Sequence, residues 1–275
     1  MILFDELESR LAGLALRHPR PVLSLAAGLG SLRNRLSRRW PDPEQVRLLF
    51  PSLTRSEAAR AAWRIAALEA RNRLLVQCIR RAGAGPARPL VRVSSETFAA
   101  LRPPLLLGTF HVGAIHALGP ALERLPGPVL ALRQGRLYPA GPPVEVVTTE
   151  GDEQSRAAVF LRALGHLQSG GFVVTALDVA PGPGLAVPCL GHTIELARGP
   201  FALARLAGVR IVPLVARWRN GNVEVEVEVE TGEALAPAGE MEMAAASARW
   251  LESYLLASPA ETGLGLLRSL LSRPS

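Results

Sequence analysis

Apolar residues in this 275-residue chain fall into two kinds of pattern. Short, largely apolar runs read as buried strands: Leu105–Leu107 with Thr109 and Phe110, Pro128–Leu132, Val144–Thr148, Phe172–Leu177 and Val209–Val215. Between them lie stretches with apolar residues every three or four positions, which read as helices with one buried stripe: Ser56–Arg81, Ile115–Leu125, Glu153–Gln168 and Gly199–Ala207. Two more helices are expected at about Glu240–Leu256 and Gly263–Leu271, and short extended segments at Val91–Val93 and Thr193–Leu196. Ser94-Ser95-Glu96 opens a short helix to Leu101, stopped by Pro103 and Pro104. Asn222–Glu230 (NVEVEVEVE) alternates strictly, which predicts a strand with valines inward and a row of glutamates in water that discourages edge pairing. Strands alternating with helices, and one late strand of antiparallel character, predict an α/β fold: a mixed, mostly parallel sheet flanked by helices, with an N-terminal helical extension.

The first forty residues are the extension, an amphipathic, interfacial segment; residues 41–275 form a single α/β domain, with Pro41–Pro51 as a proline-punctuated linker between the two. The apolar run Pro21–Leu32 spans about a dozen residues, too short to cross a bilayer. Arginines flank it, among them Arg17, Arg20, Arg33 and Arg35, and Trp40 closes the segment. That arrangement suits a helix lying in an anionic membrane surface, or equally a helix packed on its own domain. The acidic start (Asp5, Glu6, Glu8) argues against a cleavable signal peptide.

Charge narrows the partners. The net charge is +7, and every basic residue is Arg, the side chain whose planar fork grips phosphate and carboxylate. An anionic membrane surface or a phosphorylated or CoA-like substrate fits. Nucleic acid does not, because aromatic residues are only 5% and no basic stripe interleaves with them. Cys78 and Cys189 stand far apart in apolar surroundings, so no metal site is expected and a reduced, cytoplasmic setting is the simplest reading. There is no C-x-x-C, no P-loop and no G-x-G-x-x-G after a strand; Pro181–Gly184 reads as a turn.

The candidate chemistry gathers where strands end. His111 stands at a strand-to-helix junction, near the C-terminal end of a strand, where open α/β sheets hold their ligands. His116 follows five residues later, about 500° around a regular helix at ~100° per residue. The two rings converge only if His111 precedes the first helical turn and the chain bends, which Gly113 permits. Such a pair is a base with an orienting partner, placed to deprotonate an acceptor hydroxyl; the alternative is a buried strand with two incidental histidines. Arg133 and Asp178 end the second and fourth strands, and Arg198 with Gly199 and Pro200 opens a helix N-terminus where guanidinium and backbone N–H groups converge on an anion. Asp178 could instead cap a turn, and Arg198 could be an ordinary surface arginine. His18, His166 and His192 lack partners at telling spacings.

Taken together, these segments resemble a family. TFHVGAIHALGPAL resembles the T-G/N-H-F-G-N-W-E/D block of the bacterial lipid A biosynthesis (lauroyl/myristoyl) acyltransferases, relatives of the lysophospholipid acyltransferases. FVVTALDVAPG is similar to that family's strand ending in Asp-Gln, and VPCLGHTIELARGPFALARLAGVRIVPLVARW to its V-P-F-F-G…G-P-A-x-L-A…V-V-P-V segment. RWLESYL-x-x-SPAE is similar to the closing helix, so the likeness covers roughly residues 60–260.

The resemblance implies a peripheral enzyme on the cytoplasmic face of the bacterial inner membrane. Such an enzyme moves a fatty acyl group from an acyl carrier protein or CoA thioester to a hydroxyl or amine of a lipid-like acceptor, with no metal or redox cofactor. By the alignment His111 is the general base, the carboxylate beside it fixes the imidazole tautomer, and Arg133 matches a family arginine loosely. The chain departs from the H-x-x-x-x-D/E pattern, because His116 stands where the acid belongs. A carboxylate from elsewhere, Asp178 or Glu195, could fill the role; a His–His dyad could work alone; or the chain is a catalytically silent relative that binds acyl chains, acyl carrier protein or a partner enzyme.

Overall fold

The strand that leads to His111 lies in the middle of the sheet. The computed structural model describes residues 10–15, 17–37, 41–82, 91–92, 98, 100–133, 144–179, 183–220 and 225–272. Seven strands line up in the order β1 (Val91–Arg92), β9 (Val225–Thr231), β8 (Arg210–Asn220), β2 (Leu105–Thr109), β5 (Phe172–Ala176), β3 (Val129–Arg133) and β4 (Val144–Thr148). Every neighbouring pair is parallel except β8 with β9. This is the mostly parallel α/β sheet that the strand–helix alternation predicts. A separate antiparallel hairpin, β6 (Leu185–Cys189) with β7 (His192–Leu196), stands beside it.

Because side chains alternate across a strand, each central strand feeds two cores. Leu105 and Leu107 of β2, Phe172 and Val174 of β5, and Val212 and Leu214 of β8 enter one core. Leu106, Val173 and Ile211 enter the other. The first core is covered by α1 (Pro19–Ser37), the C-terminal half of α3 (Arg55–Ala82) and the short α4 (Leu118–Leu122). The second is covered by α2 (Pro43–Leu49), the N-terminal half of α3, α5 (Glu153–Gln168), α6 (Arg198–Ala207), α7 (Glu240–Ala257) and α8 (Leu264–Ser272). Helix α3, ~42 Å long at 1.5 Å per residue, thus passes from one face of the sheet to the other, with Ile65 in one core and Leu68 in the other.

Three elements differ from the sequence pattern, each for a local reason. Pro41–Pro51, expected as a linker, contains α2: Asp42 caps it by accepting the Glu44 N–H, and Pro43 occupies the first turn, where no N–H is needed. Val46, Leu49 and Phe50 bury it in the second core. The helix expected from Ile115 to Leu125 is a 3-10 turn, Ile115–Ala117, followed by the single turn of α4. Pro120 forbids a regular turn, since its ring would meet the carbonyl of His116. Strand β6, for which the sequence pattern gives no expectation, carries Pro188; a two-stranded hairpin has only edge strands, which tolerate proline.

Of the N-terminal segment, α1 packs on α3 through Val22, Leu23 and Ala26, in the same core as Leu74, Leu75 and Ile79. Its Leu25 and Leu32 stay about half exposed. No described helix is long and apolar enough to cross a membrane. Arg38, Arg39 and Trp40, the Ser94-Ser95-Glu96 helix start and Asn222–Glu224 lie outside the described residues.

Phe172 is fully buried where β5 lies between β2 and β3. Truncation to Ala should cost about 3–5 kcal/mol of unfolding free energy, checked by urea denaturation.

Candidate active site

Strand register brings the first two functional residues together. Thr109 of β2 pairs with Ala176 of β5, and each strand runs on by two residues, to His111 and Asp178 respectively. The Leu177 N–H donates to the Thr109 carbonyl at 2.8 Å, holding the two chains side by side past the end of the ladder. Asp178 then grips His111 twice. Its Oδ2 accepts the His111 backbone N–H at 2.8 Å and its Oδ1 lies 2.9 Å from the ring Nδ1. The carboxylate side chain is 7% exposed, whereas the imidazole is 46% exposed. An ionised carboxylate only accepts, so the neutral ring carries its proton on Nδ1 and presents Nε2 as a base.

Electrostatics separate the two histidines. Burial, the largest influence on His111, pulls its pKa down; the hydrogen bond and charge of Asp178 outweigh that, and the net shift is upward despite the repulsion of Arg133. His116 has no such anion. Burial first, then the charges of Arg133, His111 and Arg80, push it down to about 4, so it is neutral at physiological pH. Its Nδ1 is buried without a hydrogen-bond partner. The ring that orients His111 is therefore not His116; the orienting group is the Asp178 carboxylate, one of the alternatives the sequence left open.

His111, Ile115 and His116 form a wall common to two cavities. One, of about 490 Å³, runs between the sheet and helices α4, α5 and α6, and is lined largely by apolar side chains such as Leu118, Val146, Phe160 and Leu203. Arg133, Arg156 and Arg198 also line it. The other, of about 650 Å³, lies under α3 and carries more polar side chains: Glu69, Asn72, Arg73, Gln77, Arg80, Asp178 and Glu195 line it beside Val76, Ile194 and Leu266.

The remaining predicted residues fall into place unevenly. Arg133 lines the apolar cavity and its carbonyl accepts the Thr149 N–H at 2.7 Å. Arg198 opens α6 as expected, and Gly199 and Pro200 line the same cavity. The Arg198 guanidinium is shared, however: its Nε donates to Glu240 at 2.7 Å, and Arg205 holds the other carboxylate oxygen. The Arg198 hydrogen bond is the main cause that holds Glu240 below the usual carboxylate range. Glu195 lines the cavity under α3. The sequence reading missed Arg156 and the polar face of α3. The latter was legible, since Glu69, Asn72, Arg73, Gln77 and Arg80 recur at helical spacing within a helix read for its apolar stripe. Among the described residues no cluster of three or more His, Cys, Asp or Glu side chains is placed to hold a metal ion.

No protein-family model matches the chain, and no curated protein sequence matches it. Among solved structures it is similar to the 1-acyl-sn-glycerophosphate (LPA) acyltransferase PlsC from Thermotoga maritima, at 13% identity and a TM-score of 0.41, over 86% of this chain and 95% of that one. A likeness this loose carries no residue or activity across.

Substituting Asn for Asp178 keeps an acceptor for the His111 N–H and removes the charge. His111 has a raised folded pKa, so its contribution is fully present below the unfolded value of ~6.5 and is lost as pH rises through the folded pKa. Asp178→Asn should therefore destabilise the protein more at pH 5 than at pH 9. Urea denaturation at the two pH values checks this, and equal losses would contradict it.

Proposed function

We propose that this chain is an acyltransferase. It transfers a fatty acyl group from an acyl carrier protein or CoA thioester to a hydroxyl or amine of a lipid-like acceptor, with His111 as general base. The observation that carries the reading is the His111–Asp178 pair, which engages Nδ1 and leaves Nε2 as the base, on a wall between an apolar cavity and one richer in polar side chains. An acyl thioester is a molecule of the same two halves: a chain that fits apolar walls and a polar arm that does not.

In this reading the acyl chain lies in the cavity lined by Leu118, Phe160 and Leu203, and the thioester carbon sits beside His111. Nε2 takes the acceptor's proton as its oxygen or nitrogen attacks the carbonyl carbon. Asp178 stabilises the resulting imidazolium and keeps the ring from turning, as a triad carboxylate does. The tetrahedral intermediate then expels the thiolate, which takes the proton back from His111, leaving ester or amide and free thiol. His116, kept neutral by burial and by its cationic neighbours, is suited to donate a hydrogen bond to the developing oxyanion. Arg133, Arg156 and Arg198 around the same cavity suit an anionic group on either substrate. The chemistry calls for no cofactor beyond the thioester donor.

A peripheral position on an anionic membrane, at the cytoplasmic face of the bacterial inner membrane, completes the proposal. Its support is the outward face of α1, where Leu25 and Leu32 are about half exposed in a helix rich in arginine.

Transfer from mass-tagged acyl carrier protein and acyl-CoA panels to bacterial membrane lipids tests the function. His111→Ala should abolish turnover, Asp178→Asn should lower kcat by about 10²–10⁴-fold, and His116→Ala should lower it by ~10²-fold or less. Donor binding without turnover by the wild type would instead make the chain an acyl-binding relative.

A further inference from the structure

The turn that carries His111 is fixed by groups that lie outside the acid–base pair. Gly113 has φ +57°, and a Cβ added there would stand 2.1 Å from the Ala216 carbonyl oxygen, so the chain has no room to carry any other residue. Three elements then close on it. The Gly113 N–H donates to the Glu261 carbonyl at 2.9 Å, and the Ala114 N–H to the Ala216 carbonyl of β8 at 2.6 Å. From the opposite side, Asn72 of α3 donates its Nδ2 to the Gly113 carbonyl at 2.8 Å. The segment leading into α8 presses as close: a Cβ on Gly263 would stand 2.2 Å from the His111 carbonyl oxygen.

Asn72 is itself held. It is 7% exposed, and its Oδ1 accepts the indole N–H of Trp218 on β8 at 3.0 Å. Arg71 covers the Trp218 ring, 5.9 Å from its centroid, and feels the charge of Glu261. The amide is thus set with its oxygen toward the indole, which leaves only its N–H groups for Gly113. A helix interior gains little intrinsically from an Asn, so its place here rests on the two bonds it makes. What the amide adds is a directional bond to the backbone two residues beyond His111.

We infer that Asn72, oriented by Trp218, is a positioning residue for the His111 imidazole, holding the turn at Gly113 so that the ring stays aligned with Asp178. The proposal rests on the reading of His111 as the base. Asn72 touches no reacting atom. It acts through the backbone, and a displacement of about 1 Å at a reacting group can cost ~10²-fold in rate.

The test reads the ring directly and needs no turnover. Nitrogen-15 NMR of the histidine rings at pH 8 reports which nitrogen of His111 carries the proton. The wild type should show a single tautomer, protonated on Nδ1. Asn72→Ala should mix the two tautomers, and Trp218→Phe, which removes one donor and keeps the packing, should do so to a smaller degree. In acyl-transfer assays the same variants should lose kcat, by up to ~10²-fold for Asn72→Ala, with KM unchanged. His111 resonances identical to wild type in folded Asn72→Ala and Trp218→Phe would overturn the proposal. If Asn72→Ala does not fold, Trp218→Phe decides alone. A wild type that transfers no acyl group would defeat the enzymatic reading, and the tautomer measurement would still judge Asn72.

Discussion

The site depends on the in-register parallel pairing of β2 with β5. Two neighbouring strands end at the same level, and each carries one polar residue two positions beyond its last ladder pair. Nothing else would bring a half-exposed imidazole and a nearly buried carboxylate to 2.9 Å across 67 residues of sequence. The Asp178 carboxylate is not expensive to bury, because both its oxygens accept hydrogen bonds from His111. The strand ends of a parallel sheet thus supply what a contiguous His–acid motif would supply along a helix. The residue five positions after His111 is thereby released from that duty.

That release gives the two histidines different electrostatic fates. One gains an anion and becomes a better base; the other is surrounded by burial and positive charge and stays neutral. Their shared wall stands between an apolar chamber against the sheet and one richer in polar side chains under α3. A reaction between an amphiphilic donor and a polar acceptor group needs such a boundary, with the base upon it. Helix α3 crosses the end of the sheet at this boundary, so the same helix contributes to both cores and to the chamber beneath it.

Much of this was legible in the chain. Short, largely apolar runs marked β2, β3, β4, β5 and β8, and their alternation with helical stripes marked the mostly parallel sheet. His111, Arg133 and Asp178 stood out because each follows such a run, and strand ends are where a parallel sheet keeps its polar residues. What the chain could not show is which ends are neighbours. The order β2-β5-β3 is a long-range outcome, and only it turns Asp178 from one of two candidate carboxylates into the partner of His111. Proline misled once, because Pro43, in a stretch read as a linker, starts a helix. Asn72 lies on the legible polar face of α3, but its role, a bond to a distant backbone carbonyl, does not show in helical spacing.

The central claim is that His111, oriented by Asp178, acts as the base in acyl transfer. The pH dependence of kcat/KM for thioester-dependent acylation tests it most directly. The account predicts a rate that rises with pH along a limb whose midpoint lies above the ordinary histidine value of ~6.5, and that moves to lower pH in Asp178→Asn. A limb of unchanged position in that variant, or a rate indifferent to pH between about 5 and 9, would contradict it.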